Sequence, residues 1–384
     1  MPFIDTASRK RMVSAFVELV RIDSQTREEG KIAARLDKIL KELGCKTAFD
    51  RSAAKTGSQT GNLVAKFPGD ARLAPVLLSS HMDTVSPGKG IKPQIKRDRI
   101  TSDGTTILGA DCKSGIAVIL ETLRILKERG LPHPPLEIVF TVCEEVGLLG
   151  AKHLDFSLLK SRTGIVLDSE SAKEVTVTAP AADRMEINVI GLAAHAGMFP
   201  ERGISAVRVA AEAVSRMKLG RIDFETTANV GVISGGSATN IITPLVTMRA
   251  EARSHNPAKL RRQTAHMKAA LETAAKRSAI KLDGKTVRAR IECANTNTYP
   301  AMKIPPQAKV LAALTASAKA IGIKLEQKPG GGGSDANIFA AHGIITPNLG
   351  CGMWEPHTTA EYLGLDDFFS CAEITLGAIA RMAE

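Results

Sequence analysis

Five short stretches carry residue types that bind metal ions and move protons. The apolar run Val76–Ser80 is followed at once by His81-Met82-Asp83, Glu137–Val142 by Cys143-Glu144-Glu145, and Gly164–Leu167 by Asp168. Read as buried strands, these runs deliver one imidazole and several carboxylates to one edge, and in an open α/β sheet ligands bind outside the carboxyl ends of the strands. A fourth stretch, Gly109 to Gly115, puts Asp111 at a loop-to-helix junction, and a fifth, Trp354 to Thr358, brings His357. Carboxylates crowded at a partly buried edge cannot all ionise without a compensating cation. A bound divalent metal supplies that compensation. Imidazole and carboxylate ligands together suit zinc, with manganese or cobalt as alternatives.

Each residue also has a plainer reading. His81 alone is a hydrogen-bonded core histidine, Asp111 a helix N-cap, Glu144 and Glu145 a solvated strand end, Asp168 a turn residue, and His357 a loop histidine. Those readings would all have to hold at once, at strand ends of one domain, and the joint pattern favours a metal centre.

The elements that must position these groups follow from periodicity. Met12, Phe16, Val17 and Val20, then Ile32, Leu36, Leu40 and Leu43, recur at helical spacing within residues 9–44, with Gly44 as a stop. Asn62–Phe67, Val76–Ser80, Glu137–Val142 and Gly164–Leu167 read as buried parallel strands. Ser114–Arg129 reads as a helix between the second and third of them, stopped by Gly130. Strands alternating with helices predict an open α/β sheet.

Near residue 180 the pattern changes. Met185, Ile187 and Val189 alternate with polar residues, as in a half-buried strand. A helix at Ala206–Lys218, strands at Asn229–Ser234 and Leu245–Glu251, a helix at Pro257–Ser278 and a strand at Val287–Ala294 complete a β, α, β, β, α, β order, which is ferredoxin-like. The expected organisation is an α/β domain formed by residues 1–180 and 299–384, with an α+β domain, residues 181–298, inserted into it.

Composition narrows the function. Lys plus Arg exceeds Asp plus Glu by 51 to 40, but the charge is dispersed, with only short clusters such as Lys259 to Arg262. Aromatic residues are 4% of the chain, with one Trp, too few for a stacking platform on single-stranded nucleic acid. No specific nucleic-acid partner is expected. The six cysteines contain no C-x-x-C, the N-terminus lacks an apolar core of the secretory kind, and no apolar run approaches about twenty residues. These features predict no membrane partner and a cytoplasmic location.

The motif series is specific. It runs S-H-x-D-x-V (Ser80, His81, Asp83, Val85), G-A-D-x-K-S-G (109–115), E-E-V-G (144–147), L-D-S (167–169), H-A-G (195–197), G-G-S-D (332–335) and the late His357. In this order, over essentially the whole chain, it resembles the co-catalytic zinc peptidase superfamily of peptidase T, glutamate carboxypeptidases, aminoacylases and succinyl-diaminopimelate desuccinylase. Asp168, the Gly330–Asp335 segment and Asn348–Gly352 look most like the peptidase T branch.

The resemblance implies a zinc peptidase α/β/α sandwich with an inserted ferredoxin-like lid and dimerisation domain, and therefore a homodimer. It implies two zinc ions per subunit. Asp111 would bridge them, with His81 and Asp168 completing one site and Glu145 and His357 the other. Asp83 would orient His81 through its other ring nitrogen. Glu144 would be the general base toward metal-activated water. His195 would be the oxyanion donor, reaching the site of the other subunit. Asn240, Arg253, Gly332 and Gly333 would contact substrate. Cys112 departs from the Asp or Asn usual in relatives, where the preceding peptide bond is often cis, and its thiol is placed to ligate a metal by chance. The implied activity is hydrolysis of small peptides, as a tripeptide aminopeptidase. The alternative is an N-acyl amino acid deacylase or carboxypeptidase of the same superfamily.

Overall fold

The computed structural model describes residues 3–383; Met1, Pro2 and Glu384, the outermost residues of the expected first domain, lie outside that range. Six strands up to residue 179 build most of the main sheet: β1 (Lys46–Phe49), β2 (Leu63–Phe67), β3 (Val76–His81), β4 (Leu136–Thr141), β5 (Thr163–Leu167) and β6 (Glu174–Ala179). The sheet runs β1-β2-β4-β3-β5, then Asn348–Leu349, then β6 and Met302–Lys303, with Glu326–Pro329 also paired to β6. Every residue of β3 and β4 is buried, as in strands covered on both faces.

Strand direction corrects one expectation. β3 is parallel to β4 and β5, and β5 to Asn348–Leu349, but β2 runs antiparallel to β4 and β1 antiparallel to β2. Asn62–Phe67 was expected to be parallel; a continuous apolar run reports burial on two faces and carries no information about direction. The parallel core is the part that matters for chemistry, because β3, β4 and β5 end on one edge of the sheet.

Helices α1 (Thr6–Val20), α2 (Gly30–Leu43) and α3 (Ala110–Arg129) belong to this unit. Gly44 closes α2 in the left-handed region (φ 99°), where a side chain would be strained. In α3 the residues Asp111 and Cys112 are non-helical, so the regular helix begins beyond Cys112. Its first turn lies very close to the sheet: a Cβ on Gly115 would fall 2.2 Å from the main-chain oxygen of Leu167, at the end of β5. Phe16, Leu36, Leu78, Phe140, Phe339 and Phe368 lie in one continuous apolar core.

The chain divides into two compact units, one formed by Met1–Ala179 with Met302–Glu384 and the other by Pro180–Ala301. The second contains β7 (Ala181–Ile190), α4 (Ala206–Arg216), β8 (Gly220–Asp223), β9 (Thr226–Gly235), β10 (Leu245–Ser254), α5 (Pro257–Arg277) and β11 (Arg290–Tyr299). Its sheet order is β8-β9-β10-β7-β11, with every pair antiparallel. Without the short edge strand β8 this is the ferredoxin-like order. Its own core contains Met185, Ile187, Val209, Met248, Met267 and Leu271. The strand expected at Val287–Ala294 is divided between the hairpin Ala279–Leu282/Lys285–Arg288 and β11. Among the described residues no helix is long and apolar enough to cross a membrane, and all six cysteines are free thiols.

Candidate metal centre

His81 is the last residue of β3, Glu144 and Glu145 follow β4 within four residues, and Asp168 directly follows β5. The parallel register places these three ends side by side. The loop before α3 adds Asp111, and the segment after the short strand Met353–Trp354 adds His357. The His81 Nε2 atom lies 2.9 Å from Asp111 Oδ1 and 3.6 Å from Asp168 Oδ1. The His357 Nε2 atom lies 3.2 Å from Asp111 Oδ2 and 3.0 Å from Glu145 Oε2. Asp111 thus turns one oxygen to each imidazole. Two groups with the spacing of metal ligands result, one of His81, Asp111, Cys112 and Asp168 and the other of Asp111, Glu145 and His357.

The residues present fit a pair of divalent cations. The donors are imidazole nitrogen and carboxylate oxygen, a set suited to zinc. Among the described residues, Glu145 Oε1 is buried without a hydrogen-bond partner. Burial pushes Glu145 up to about 7, aided by the Asp111 charge and opposed by His357. Burial likewise raises Asp168 against the pull of His81, and raises Glu144 well above the carboxylate range, with Asp168, Asp335 and Glu145 adding to it. Both imidazoles answer this surplus of anion. Asp111 and Glu145 lift His357 to about 10, and Asp111, Asp168 and Asp83 hold His81 well above its ordinary value although burial opposes it. Burial would raise Asp111, but its hydrogen bonds to the two imidazoles outweigh that and keep it below the usual range. The His357 side chain is 54% exposed, so the cluster is open to solvent on that side.

The frame around these groups is largely main-chain N–H held by buried carboxylates. Asp83 Oδ1 accepts from the Glu144 N–H at 2.9 Å, and its Oδ2 from the Glu145 N–H at 3.3 Å and the Thr26 hydroxyl at 2.8 Å. Glu29 Oε1 accepts from the N–H of Cys143 at 3.0 Å and of Arg27 at 2.9 Å. Cys143 itself has φ 52°, as the sharp turn after β4 requires. Asn348 clamps Asp168 from both sides, its Oδ1 accepting from the Asp168 N–H at 2.9 Å and its Nδ2 donating to the Asp168 carbonyl at 2.7 Å. Glu361 accepts from the backbone of the Asp111 loop. Apart from Asp83, none of these struts was picked out by residue chemistry. Each works on backbone atoms far away in sequence, and only the motif stretch Asn348–Gly352 gave any signal.

Two expectations need refinement. Asp83 does sit beside His81, but the close contact is its main-chain oxygen, 2.9 Å from Nδ1, with the carboxylate at 3.5 Å. Cys112, considered as a chance ligand, has its Sγ among the first ligand group while donating to the Leu167 carbonyl at 2.8 Å. The Asp111–Cys112 peptide bond is cis.

Gly332 and Gly333 precede Ser334, the cap of the helix Asp335–Ala341. Ser334 Oγ lies 3.4 Å from the same Asn348 Nδ2 that holds Asp168. Asp335 is buried with one oxygen on the Thr141 hydroxyl at 2.5 Å and the other without a partner among the described residues. His195, Asn240 and Arg253 belong to the second unit. The Nδ1 of His195 accepts from the Gly197 and Met198 N–H groups at 3.2 and 3.1 Å, which leaves its proton on Nε2 as an outward donor. Asn240 is exposed, and its carbonyl accepts from the Ala196 N–H. The Arg253 guanidinium is forked onto Glu251 at 3.0 and 3.2 Å.

A mixed sheet with paired ligand groups at the ends of its parallel strands is an arrangement able to hold divalent ions and activate water for hydrolysis. A profile of peptidase family M20/M25/M40 matches residues 77–381, and the chain belongs to that family. It is 39% identical to the uncharacterized protein YqjE of Bacillus subtilis, over 98% of this chain and 100% of that one. The crystal structure of aminopeptidase PepT from Bacillus cereus superposes with a TM-score of 0.89 at 41% identity, covering 100% of both chains. That of a tripeptidase from Staphylococcus aureus gives 0.92 at 38% identity, covering 98% of both.

Proposed function

We propose that this peptidase is a tripeptide aminopeptidase of the peptidase T kind that works with two zinc ions. The observation that carries the reading is Asp111, whose two carboxylate oxygens face His81 and His357 separately. In the proposed arrangement His81, Asp168 and Asp111 hold one ion, and Glu145, His357 and Asp111 hold the other. Ions bound in this way lower the pKa of water and polarise a carbonyl.

The chain's own groups do the rest. Glu144, buried beside the cluster, takes a proton from the attacking water and passes it to the leaving amine. Its upward shift, caused first by burial, moves it in the direction such a group needs. The outward Nε2–H of His195 is a donor suited to the oxyanion; such donors are worth about 3–4 kcal/mol. Asn240, Arg253, Gly332 and Gly333 are assigned to substrate. For Arg253 this requires its fork to be shared with, or released from, Glu251. The inserted domain is assigned as lid and dimer contact, with the homodimer in the cytoplasm.

Support for the peptide substrate comes from the relatives at 41% and 38% identity, an aminopeptidase and a tripeptidase by name. The test is a substrate panel with added zinc or manganese. Release of the N-terminal residue from trialanine, with acetyl amino acids untouched, is the expected outcome. Preferential hydrolysis of acetyl amino acids would transfer the chain to the deacylases.

A further inference from the structure

Glu361 is 1% exposed, and its carboxylate accepts three hydrogen bonds from main-chain N–H groups of one loop. Its Oε2 accepts from the N–H of Leu108 and of Gly109, both at 2.7 Å, and its Oε1 from the N–H of Asp111 at 2.9 Å. This is the loop that leads into α3, in which Gly109 has φ 75° and Asp111 is extended rather than helical. No intrahelical ladder is available to these N–H groups, and buried donors need partners. Converging N–H groups favour an anion, and a carboxylate can accept on both sides at once.

The other end of Glu361 is equally fixed. It lies four residues after His357, its own N–H donates to the Thr358 carbonyl at 3.2 Å, and the strand Tyr362–Gly364 that follows pairs with Arg99–Thr101 and Met353–Trp354. Glu361 therefore ties the loop that carries His357 to the loop that carries Asp111, some 250 residues earlier. Those loops face each other through His357 Nε2 and Asp111 Oδ2, 3.2 Å apart.

We propose that Glu361 is a positioning residue that sets the spacing of Asp111 and His357, and so governs affinity for the ion shared by Asp111, Glu145 and His357. This rests on the two-ion reading above. Glu361 touches neither substrate nor the reacting atoms; it acts through the backbone of Asp111. Replacing it by Gln keeps one acceptor oxygen and turns the other position into an NH₂ that faces N–H groups. The ion held by His81 and Asp168 depends less on that spacing, because β3 and β5 fix those two ligands.

The experiment titrates metal-free, full-length protein with zinc against a chromophoric chelator, in the wild type, Glu361→Gln and Glu361→Asp, and records the absorption of the cobalt-loaded forms. Two ions in the wild type uphold the two-ion reading; one ion or none ends that reading without touching Glu361. Given two, the expected result for Glu361→Gln is one ion weakened by about tenfold or more, the range for groups that orient ligands. The other ion should bind nearly as before, and the cobalt spectrum should change for one site. Glu361→Asp, which keeps the charge but is one methylene shorter, should fall between. A purely structural role would lower the melting temperature of the metal-free protein and leave both affinities alike, and that outcome overturns the proposal. Equal weakening of both ions overturns it too. Should Glu361→Gln not fold, the same two outcomes are read from Glu361→Asp.

Discussion

The Nδ1 atom of His81 lies 2.9 Å from the main-chain oxygen of Asp83, while the Asp83 carboxylate is turned to the N–H groups of Glu144 and Glu145. A carbonyl oxygen only accepts, so Nδ1 carries a proton, and Nε2, the ring nitrogen beside Asp111 and Asp168, is the one left to bind an ion once its own proton is displaced. The orientation of the imidazole is thus a property of the backbone at residue 83. The side chain of Asp83 works elsewhere, on the turn that aims the two glutamates.

Asp83→Ala should therefore spare the ion at His81. It leaves two buried N–H groups and the Thr26 hydroxyl without an acceptor, at about 1–3 kcal/mol for each buried group left unpaired. The expected result is a loss of at least about 2 kcal/mol in urea unfolding and a fall in kcat, with zinc affinity at the His81 site within about threefold. Selective loss of that ion would show that the carboxylate, and not the main chain, orients the ring.

Glu144→Gln should keep both ions and lose turnover. General acid–base catalysis contributes about 10²- to 10⁴-fold, and kcat should fall within that range. Metal analysis of the purified variant alongside steady-state kinetics checks both halves. Wild-type kcat in this variant would remove Glu144 from the reaction.

Asp111→Ala removes the carboxylate common to both ligand groups. The variant should retain less than one zinc per chain where the wild type should hold two, with activity lost and not recovered on adding zinc. Chelation of the wild type should abolish activity as well, and added zinc, manganese or cobalt should restore it.

Without metal, stability should fall as pH rises. Glu145 is pushed up to about 7 by burial and His357 up to about 10 by Asp111 and Glu145. For both groups the folded value lies above the unfolded one, so the folded state binds the extra proton. That stabilisation is complete below the unfolded value and is lost as pH passes the folded one. The windows are about 4.5 to 7 for Glu145 and about 6.5 to 10 for His357. Melting of the metal-free protein between pH 6.5 and 10 should show a declining midpoint, and zinc should flatten the decline. A midpoint that rises across that interval would contradict the assignment, and His357→Asn should remove the upper part of the slope.

Gly115 tests how closely α3 approaches the sheet. Its substitution by Ala drives a methyl against the Leu167 carbonyl and the Ser80 hydroxyl, at 2.2 and 2.7 Å before relaxation. Overpacking of this kind costs about 1–3 kcal/mol, and contact with backbone puts it at the upper end. Gly331→Ala, which meets nothing within 4 Å, is the control and should leave unfolding unchanged.

The ligand stretches were legible because β3, β4 and β5 are covered on both faces. An apolar run then stops abruptly at His81, at Glu144 and at Asp168, and the break marks the strand end. The antiparallel course of β2 was not legible, since burial has no direction. The edge strand β8 is four exposed or half-buried residues, Gly220–Asp223, and carries no alternation to detect. Glu361, Glu29 and Asn348 were invisible as struts for a different reason. Their partners are main-chain atoms, identical at every residue, so only the folded chain shows which ones they meet.

Backbone donors as the supports of this cluster have a consequence for how the chain can change. Seven N–H groups, those of Arg27, Leu108, Gly109, Asp111, Cys143, Glu144 and Glu145, end on the carboxylates of Glu29, Asp83 and Glu361. The side chain at Leu108 can change without removing its support, because nineteen of the twenty amino acids offer the same N–H. Proline alone is barred there, and one such replacement would dismantle from a distance what no ligand mutation has touched.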